Sequence, residues 1–462
     1  MTHFNLGVSA GDVKNTTGMF WTKIHNPVQN VNCTLFLATN SNMQNIVQTK
    51  VVPATYITEA NNFTLKTQLN NLLPNTVYYY QFSYNNEFSD IGRIKTLGNN
   101  EAKFLLLTCN KYETVEQFFD PDLITEEFDF IVHNGDFIYE DCQPNIRTIV
   151  LPSGQQFAES LTDYRFLYET YRSDENMRKL LKKGQLYHIF DDHEIANDWY
   201  YDSAIGSGNS PSHHFRDNPT LLTQLYLDAK KAMMEYIPNS LVNTNSQFYR
   251  AFDLSFALMV FVDTRSFRSP HPCGVEYKER MYTPFCPQMQ SPNQLMLGTT
   301  QMNWLKNQII NSPYNLIYLV SPSCFTDILV PSPEGESWYL KTDIWSGYQY
   351  QRNTIIQLCK QYGKKLVVLS GDLHASLFAN GIDYVEVMTP AMSSKTVGEE
   401  LFSYVGLTPE NHEAIVKLRN PRIQHFNGYK KGYTIVHTSN EFFRVKIFDV
   451  NHELYFETEV TL

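Results

Sequence analysis

Short segments in which apolar and polar residues alternate fill the first hundred positions of the chain. They cover residues 18–24, 33–39, 63–69, 77–84 and 91–96, with turn-forming residues between them. A period of two places alternate side chains on one face of a β-strand, and a series of such strands is typical of an antiparallel sandwich. No helical periodicity interrupts the series. The pattern predicts an all-β domain over residues 1–97, with a polar boundary immediately after it.

The periodicity changes after this boundary to continuous apolar runs that alternate with helical stretches. The runs that predict buried strands are residues 104–107, 128–133, 186–190, 257–262, 316–320 and 366–369. Apolar residues at helical spacing predict helices over residues 161–183, 220–236, 300–311 and 352–362. Strands that are apolar on both faces and alternate with helices predict a layered α/β domain over residues 103–462. In such sheets ligands bind at the carboxyl ends of the strands.

One segment of the all-β region has a distinctive turn and strand. Leu72, Pro74, Thr76, Tyr78 and Tyr80 stand in the order Leu-x-Pro-x-Thr-x-Tyr-x-Tyr. This order resembles that of fibronectin type III domains, in which a turn leads into a strand with an anchoring tyrosine. The resemblance implies a fibronectin-III-like sandwich for residues 1–97.

The overall composition excludes several classes of protein. With 42% hydrophobic and 18% charged residues, the chain is expected to fold throughout. A net charge of -11 gives no long-range attraction to nucleic acid or anionic lipid, so we expect no nucleic-acid-binding surface. No apolar run reaches the ~18 residues of a membrane span, and the first residues do not resemble a secretory signal. We expect a soluble protein, cytosolic or secreted with its signal removed, whose oligomeric state stays open.

The seven cysteines lack the short repeats of a zinc knuckle or of a dense disulfide framework. Cys273 and Cys286 lie in one proline-rich stretch and form the plausible pair. Free thiols fit the sequence at least as well. The sequence therefore leaves open whether Cys273 and Cys286 pair.

Polar clusters follow four of the predicted strands at the point where each strand ends. They cover residues 108–110, 134–140, 191–199 and 370–374, and they contain Asp, His, Asn, Tyr and Cys. Several carboxylates held together in an acidic protein must be neutralised by raised pKa values or by bound cations. Oxygen and imidazole donors suit calcium, manganese, zinc or iron, and a phenolate or thiolate adds a preference for Fe(III). The clusters predict a site with two or more metals.

The order of the motifs along the chain is specific. The motifs are GVSAGDV at 7–13, GDFIYE at 135–140, DDHE at 191–194, VDTRSFR at 262–268, DIWSGY at 343–348 and LSGDLH at 369–374. The GDFIY block at 135–139 resembles the Gly-Asp-x-x-Tyr block of calcineurin-like metallophosphoesterases. The fuller set resembles the PhoD-like alkaline phosphatase/phosphodiesterase family over nearly the whole chain. This resemblance implies a metallophosphoesterase core of layered β-sheets flanked by helices.

The resemblance also implies a set of site residues. The implied metal ligands are Cys109, Asp136, Tyr139, Asn197, Asp372 and His374, with Asp136 bridging metals. Arg165 and His193 are implied to contact the phosphate. The sites of this family hold iron with calcium, so Fe³⁺ and Ca²⁺ are the expected metals, with divalent alternatives open. Two departures, Asn197-Asp198 in place of an Asn-Asn pair and the Leu-Thr-Cys-Asn-Lys end of the first catalytic strand, leave metal identity and substrate preference open.

Several neighbouring residues admit a structural interpretation. Asp192 can ligate a metal, or it can orient His193 through a hydrogen bond. Asp263, Arg265 and Arg268 follow another strand. For these three we expect an ion-pair network that supports the site.

These features predict metal-dependent hydrolysis of small phosphate esters, either monoesters or diesters. Metals that lower the pKa of a bound water would provide a hydroxide for in-line attack on phosphorus, with Arg165 and His193 stabilising the charge on the phosphate oxygens. The rival interpretation is a binding or adhesion protein on an inactive scaffold. The complete set of donors argues against it, because an inactive site has no reason to keep carboxylates that repel one another.

Overall fold

Two β-sheets lie face to face at the centre of the computed structural model, which describes residues 3–202, 206–241, 247–274, 281–332 and 334–462. The larger sheet has nine strands in the spatial order β26 (Leu454–Thr461), β25 (Phe442–Asp449), β24 (Gly432–Ser439), β9 (Glu101–Leu107), β10 (Phe130–Asn134), β11 (Gln185–Ile189), β1 (Val8–Gly11), β2 (Gly18–Lys23) and β5 (Thr64–Leu69). Strands β9, β10 and β11 are parallel, and β24 joins them antiparallel to β9.

The second central sheet has seven strands. Their order is β14 (Arg250–Asp253), β15 (Leu258–Phe261), β17 (Leu316–Ser323), β20 (Lys365–Gly371), β22 (Val385–Met388), β21 (Ser376–Asn380) and β23 (Ile423–Asn427). Side chains alternate along β17, where Tyr318 and Val320 point into the core shared with the larger sheet and Ile317 and Leu319 point to the opposite side. This burial of both faces explains why the run is continuously apolar.

Helices cover the outer faces of both sheets. The α-helices of the described residues are α1 (Leu161–Ser173), α2 (Glu175–Lys183), α3 (Pro219–Tyr236), α4 (Gly298–Asn311), α5 (Gln349–Gln361), α6 (Val397–Glu400) and α7 (His412–Arg419). Leu305 of α4 and Ile355 of α5 pack on the seven-stranded sheet, and α2 packs on β1 and β11. The layers confirm the predicted α/β core. Across the described ranges, none of the helices has the length and apolar character needed to cross a bilayer.

A smaller sheet completes an N-terminal sandwich with β1, β2 and β5. It consists of β4 (Ile46–Val52), β3 (Cys33–Ala38), β6 (Val77–Tyr84) and β7 (Glu87–Phe88) in that order, with β8 (Gly92–Lys95) paired to β6. Tyr78, Tyr80 and Phe82 of β6 share an apolar core with Phe20 and Leu65 of the facing strands. The predicted all-β character of this region is confirmed.

Two further small sheets lie in the connections of the α/β region. One pairs β12 (Tyr200–Asp202) with β13 (Ser207–Asn209), and the other contains β16 (Tyr282–Thr283), β19 (Ser337–Leu340) and β18 (Leu329–Pro331). The last strand predicted from the sequence ends at residue 369, and the prediction therefore missed β21 to β26, which follow it in the structure.

The N-terminal sandwich and the large sheet share strands. β1 lies parallel to β11 with Gly11 opposite Leu186, so β1, β2 and β5 extend the nine-stranded sheet. A Cβ at Gly11 would clash with the carbonyl oxygens of Pro238 and Leu186, so the close approach requires glycine. Beside this joint the guanidinium of Arg172 lies 3.7 Å above the ring of Trp21. The division into two domains near residue 100 stays a prediction, because the hydrogen-bonded sheet crosses it.

Residues 161–183 form two helices, so the prediction of one continuous helix is wrong. Asp174 has an extended backbone, with φ -60° and ψ 128°, and its carboxylate accepts the backbone N–H groups of Asn176 and Met177 at 3.0 and 3.2 Å. Arg147 binds the other carboxylate oxygen at 2.7 Å. An aspartate in this position begins a new helix even where the apolar periodicity continues.

Cys273 and Cys286 form a disulfide, with their Cα atoms 5.9 Å apart. The pairing that the sequence left open is therefore present in the structure. The backbone N–H of Cys273 donates to the side chain of Gln288 at 3.2 Å, and this contact brings the two loop segments together. The other five cysteines are buried free thiols.

Tyr80 and Tyr84 are a matched pair for testing the core of the N-terminal sandwich. Both are buried, but the Tyr84 hydroxyl accepts the Val28 N–H at 2.8 Å and donates to the Val28 carbonyl at 2.9 Å. The Tyr80 hydroxyl has no hydrogen-bond partner among the described residues. We expect Tyr84→Phe to lower the free energy of unfolding by about 1 kcal/mol, and Tyr80→Phe to leave it unchanged or raise it slightly. Urea titration of both variants checks this, and equal losses would contradict the assigned hydrogen bonds.

Candidate active site

The carboxyl ends of β9, β10, β11 and β20 meet at one edge of the paired sheets. The residues that follow these ends with a left-handed backbone are Cys109 (φ 55°), Asp136 (φ 56°), Asp372 (φ 68°) and His374 (φ 55°). This conformation is uncommon for residues other than glycine and is concentrated at functional sites. It turns the chain sharply away from β9, β10 and β20, so the side chains converge at the crevice.

A cavity of about 700 Å³ opens at this edge. The expected site residues that line it are Asp136, Tyr139, His193, Asn197, Asp372 and His374. Cys109 lies directly behind them, fully buried, with its Sγ 3.4 Å from Asp136 Oδ2. The structure therefore brings seven of the eight expected residues together.

The first group of possible metal donors is formed by Cys109, Asp136 and His374, whose ligand atoms lie within 4.8 Å of one another. The Tyr139 hydroxyl adjoins this group at 3.1 Å from Asp136 Oδ2 and 3.3 Å from His374 Nε2. A thiol, a phenol, a carboxyl group and an imidazole at this spacing can hold one cation between them.

Asp136 also belongs to a second donor group. Its carboxylate, Asp192 and His193 place ligand atoms within 4.8 Å of one another, and so do Asp191, Asp192 and Asp372. Asp136 and Asp192 are each shared between two groups. Shared carboxylates are suited to adjacent cations, because the two oxygens of one side chain can face different ions.

Burial opposes the ionised forms of the donor side chains. It is the main cause that raises the pKa of Cys109, Tyr139 and Asp136, and the negative charge of Asp136 raises the first two further. Burial, followed by the charge of Lys341, lowers the pKa of His374 to about 3, which keeps its imidazole neutral. A neutral imidazole can donate a lone pair, and a nearby cation favours the thiolate, phenolate and carboxylate forms. The donor set therefore fits bound metal ions.

Two mostly buried cations face the carboxylates. Arg265 donates to Asp191 through Nε at 2.5 Å and Nη2 at 3.1 Å, and it lies 3.5 Å from Asp192. Lys341 donates to both oxygens of Asp372 at 3.0 and 3.2 Å. Burial raises the pKa of Asp192, but positive charges, led by that of Arg265, lower it to about 2. Arg265 therefore takes part in the ion-pair network expected to support the site.

Arg165 is the expected residue that does not reach the cavity. Its guanidinium donates to the two carboxylate oxygens of Glu235 at 2.7 and 2.6 Å and to the Ala60 carbonyl at 2.8 Å. These partners lie toward the N-terminal sandwich, and they accept the hydrogen bonds of Nε and Nη2. The expectation that Arg165 contacts the phosphate is corrected on this ground.

His193 and Asn197 stand on the cavity side of the segment after β11. The His193 ring lies with its centroid 4.1 Å from that of Tyr139. The Asn197 amide donates to Asp198 at 3.1 Å and to the Ser212 hydroxyl at 2.7 Å. Their backbone segment holds both side chains at the wall of the cavity.

Sequence reasoning missed Lys341 and Ser394. Lys341 lies two residues before the DIWSGY motif, so its position beside that motif was the available signal. Ser394 follows β22 without any motif, and its hydroxyl lies 2.6 Å from that of Tyr139. Only the folded chain brings these residues to the site.

Facing sheets of this topology, with carboxylate, imidazole, thiol and phenol donors at the strand ends, define a metallophosphoesterase. Residues 104–447 match the family model described as PhoD-like phosphatase, and residues 1–98 match the PhoD-like phosphatase N-terminal domain. The chain belongs to the PhoD-like phosphatase family. It is a metal-dependent phosphoesterase, and the family implies that it binds divalent metal.

Similar proteins agree with this assignment. Alkaline phosphatase D of Bacillus subtilis (strain 168) is 27% identical over 456 residues, which cover 93% of this chain and 74% of that protein. The solved structure of PhoD is 23% identical, with a TM-score of 0.82 and coverage of 100% of this chain and 89% of that one. A purple acid phosphatase from yellow lupin (Lupinus luteus) seeds is 10% identical, with a TM-score of 0.59 and coverage of 98% and 74%. The two solved structures confirm the fold.

Arg165→Ala should lower the stability of the protein but not its activity, whereas Lys341→Ala should lower its activity. Arg165→Ala leaves Glu235 mostly buried without its partner, so we expect a loss of about 1–3 kcal/mol in the free energy of unfolding and kcat/KM within about twofold of wild type. Lys341→Ala removes an ammonium group from the cavity, so we expect kcat/KM to fall by about 10²-fold. Thermal unfolding, ester hydrolysis and metal content are measured for both. A large loss of activity in Arg165→Ala with full metal content would return Arg165 to the site.

Proposed function

We propose that Cys109, Tyr139 and His374 would hold a ferric ion and that Asn197 and Asp372 would hold calcium, with Asp136 bridging the two sites. The observation that carries the proposal is the membership of Asp136 in two donor groups. Phenolate and thiolate are electron-rich anionic donors that suit Fe(III). Carboxylate and amide oxygens suit calcium.

The chain's own residues have distinct roles in phosphate-ester hydrolysis. Bound metal ions would act as Lewis acids on the phosphate and lower the pKa of water. The ammonium group of Lys341, 12% exposed at the cavity wall, offsets negative charge on the phosphate oxygens. His193 contacts the phosphate and gives a proton to the leaving oxygen.

The position of Cys109 supports a ligand role over a nucleophilic one. Its side chain is fully buried behind Asp136, and the cavity lining does not include it. A covalent nucleophile must reach the phosphorus atom of the substrate. A ligand needs only to reach the metal.

The extent of the cavity supports a substrate larger than phosphate itself. Beyond the donor groups it reaches Lys111 and Gln143 on one side and Met281 and Leu401 on another. The leaving group and a second ester substituent both have room there, so monoesters and diesters are candidate substrates. A panel of matched monoesters and diesters, assayed on purified protein of known metal content, measures the preference.

Asp136→Asn and Asp372→Asn are expected to lower hydrolysis by more than about 10³-fold and to reduce bound metal, because several kcal/mol of transition-state stabilisation depend on the metals. The fold should persist, since each substitution removes one of several carboxylates that repel each other. Asp12→Asn is the matched control, because Asp12 is also a buried strand-end aspartate with a left-handed backbone but pairs with Arg250 away from the cavity. Elemental analysis and rates are compared. Wild-type rates with full metal content in either site variant would refute the assignment.

Iron at Tyr139 and Cys109 should make the protein coloured, because a phenolate or thiolate can transfer charge to Fe(III). We expect Tyr139→Phe and Cys109→Ser to shift or abolish the visible absorption band. Tyr168→Phe is the control, since Tyr168 is equally buried but lies outside the cavity lining. Visible spectra and iron content are measured together. An active, colourless and iron-free preparation would disprove the ferric assignment and leave the phosphoesterase assignment intact.

A further inference from the structure

Glu140, the last residue of the GDFIYE motif, lies between two residues of the site. Its side chain is fully buried. Oε2 lies 2.7 Å from Nδ1 of His193, and Oε1 accepts the backbone N–H of Asn197 at 2.6 Å. One carboxylate therefore connects the chain after β10 to two positions after β11.

The contact with Nδ1 determines what the imidazole can present to the cavity. A carboxylate accepts a hydrogen bond, so it holds the Nδ1–H of His193 and turns Nε2 toward the substrate. When the ring is protonated on both nitrogens, the proton on Nε2 is the one that the leaving oxygen takes. The ring of Tyr139 packs against His193 at 4.1 Å between centroids and limits rotation of the imidazole. The carboxylate and the aromatic ring together select one orientation.

The same contacts argue against Glu140 as a metal ligand. Glu140, Asp141 and His193 do place ligand atoms within 4.8 Å of one another. However, both carboxylate oxygens of Glu140 already accept hydrogen bonds, and Asp141 pairs with Lys111 at 2.6 Å. The geometry favours a role through His193 over direct metal binding.

We infer that Glu140 is a positioning residue: it holds the Nδ1–H of His193 so that the Nε2–H of the protonated ring faces the leaving oxygen, and it holds the Asn197 backbone in place. The inference rests on the role of His193 in the proposed function. Protonation matters most when the leaving group is a poor one, such as an alkoxide. An activated aryl oxide leaves without a proton, so its rate depends little on His193.

The test compares two phosphate esters that differ only in the leaving group, p-nitrophenyl phosphate and an alkyl phosphate. Glu140→Gln keeps the size of the side chain but removes the charge. We expect it to lower kcat for the alkyl ester by about 10- to 100-fold and kcat for the aryl ester by less than about threefold, with KM and metal content unchanged. His193→Ala should show the same selectivity, and the double variant should lose little more than His193→Ala alone, because both residues act through one proton transfer.

Glu386→Gln is the matched control for removal of a buried charge. Glu386 is fully buried and accepts the N–H groups of Phe325 and Thr326 at 2.8 and 2.7 Å, outside the cavity lining. Its substitution should leave the ratio of the two rates unchanged.

The outcomes separate this inference from the proposed function. If His193→Ala is not selective for the alkyl ester, the proposed role of His193 fails. If His193→Ala is selective but Glu140→Gln is not, or if the two losses multiply in the double variant, the positioning role fails. Loss of metal from Glu140→Gln would show that Glu140 acts through the metal site, directly or through Asn197, and would overturn the role through His193. A crystal structure of metal-loaded Glu140→Ala tests the placement without an assay, and an unmoved His193 ring would contradict it.

Discussion

The carboxylates of Asp136, Asp191, Asp192, Asp343 and Asp372 are all buried around one crevice, and their mutual repulsion must be balanced within the protein. Two unit charges 4 Å apart interact by about 4 kcal/mol at an effective dielectric constant near 20. Arg265 and Lys341 contribute two positive charges, fewer than the carboxylates carry when ionised. Metal cations at the shared donors would supply the remainder. This balance of charge accounts for the arrangement of the site, from the buried Arg265 to the Cys109 thiol behind Asp136.

Turns with a left-handed backbone hold Asp136 and Asp372 in place, at a cost of about 1–3 kcal/mol for each strained residue. Glu194 offsets part of this cost, because its carboxylate accepts the backbone N–H groups of Asp136, Phe137 and Asp191 at 2.9, 2.7 and 2.8 Å. One buried acid thus joins the turn after β10 to the turn after β11. Some acidic side chains in this region can ligate cations, and others accept hydrogen bonds from backbone N–H groups and so fix the turns.

The fold and most of the site were predictable because their signals are local. The spacing of Asp136 and Tyr139 within one turn, and the strand-end position of Cys109, can be read directly from neighbouring residues. Arg165 could not be placed this way, since its partner Glu235 is 70 residues away and its direction depends on how α1 meets the N-terminal sandwich. Lys341 and Ser394 reach the site only through tertiary packing. The break at Asp174 was missed because one capping aspartate, which accepts two backbone N–H groups, outweighs a continuing apolar pattern.

The order of the nine-stranded sheet constrains how the enzyme can be made in a cell. β24, β25 and β26, the last strands of the chain, pair along β9 at one side, while β1, β2 and β5, among the first, lie beyond β11 at the other. A ribosome releases the N-terminal strands long before β11 exists to receive β1, and β9 waits for β24 until the long segment between them has been made. Pairings of such long sequence separation form slowly and leave strand edges open in the meantime. Until both pairings form, the nascent chain exposes unpaired strand edges, through which incomplete sheets associate.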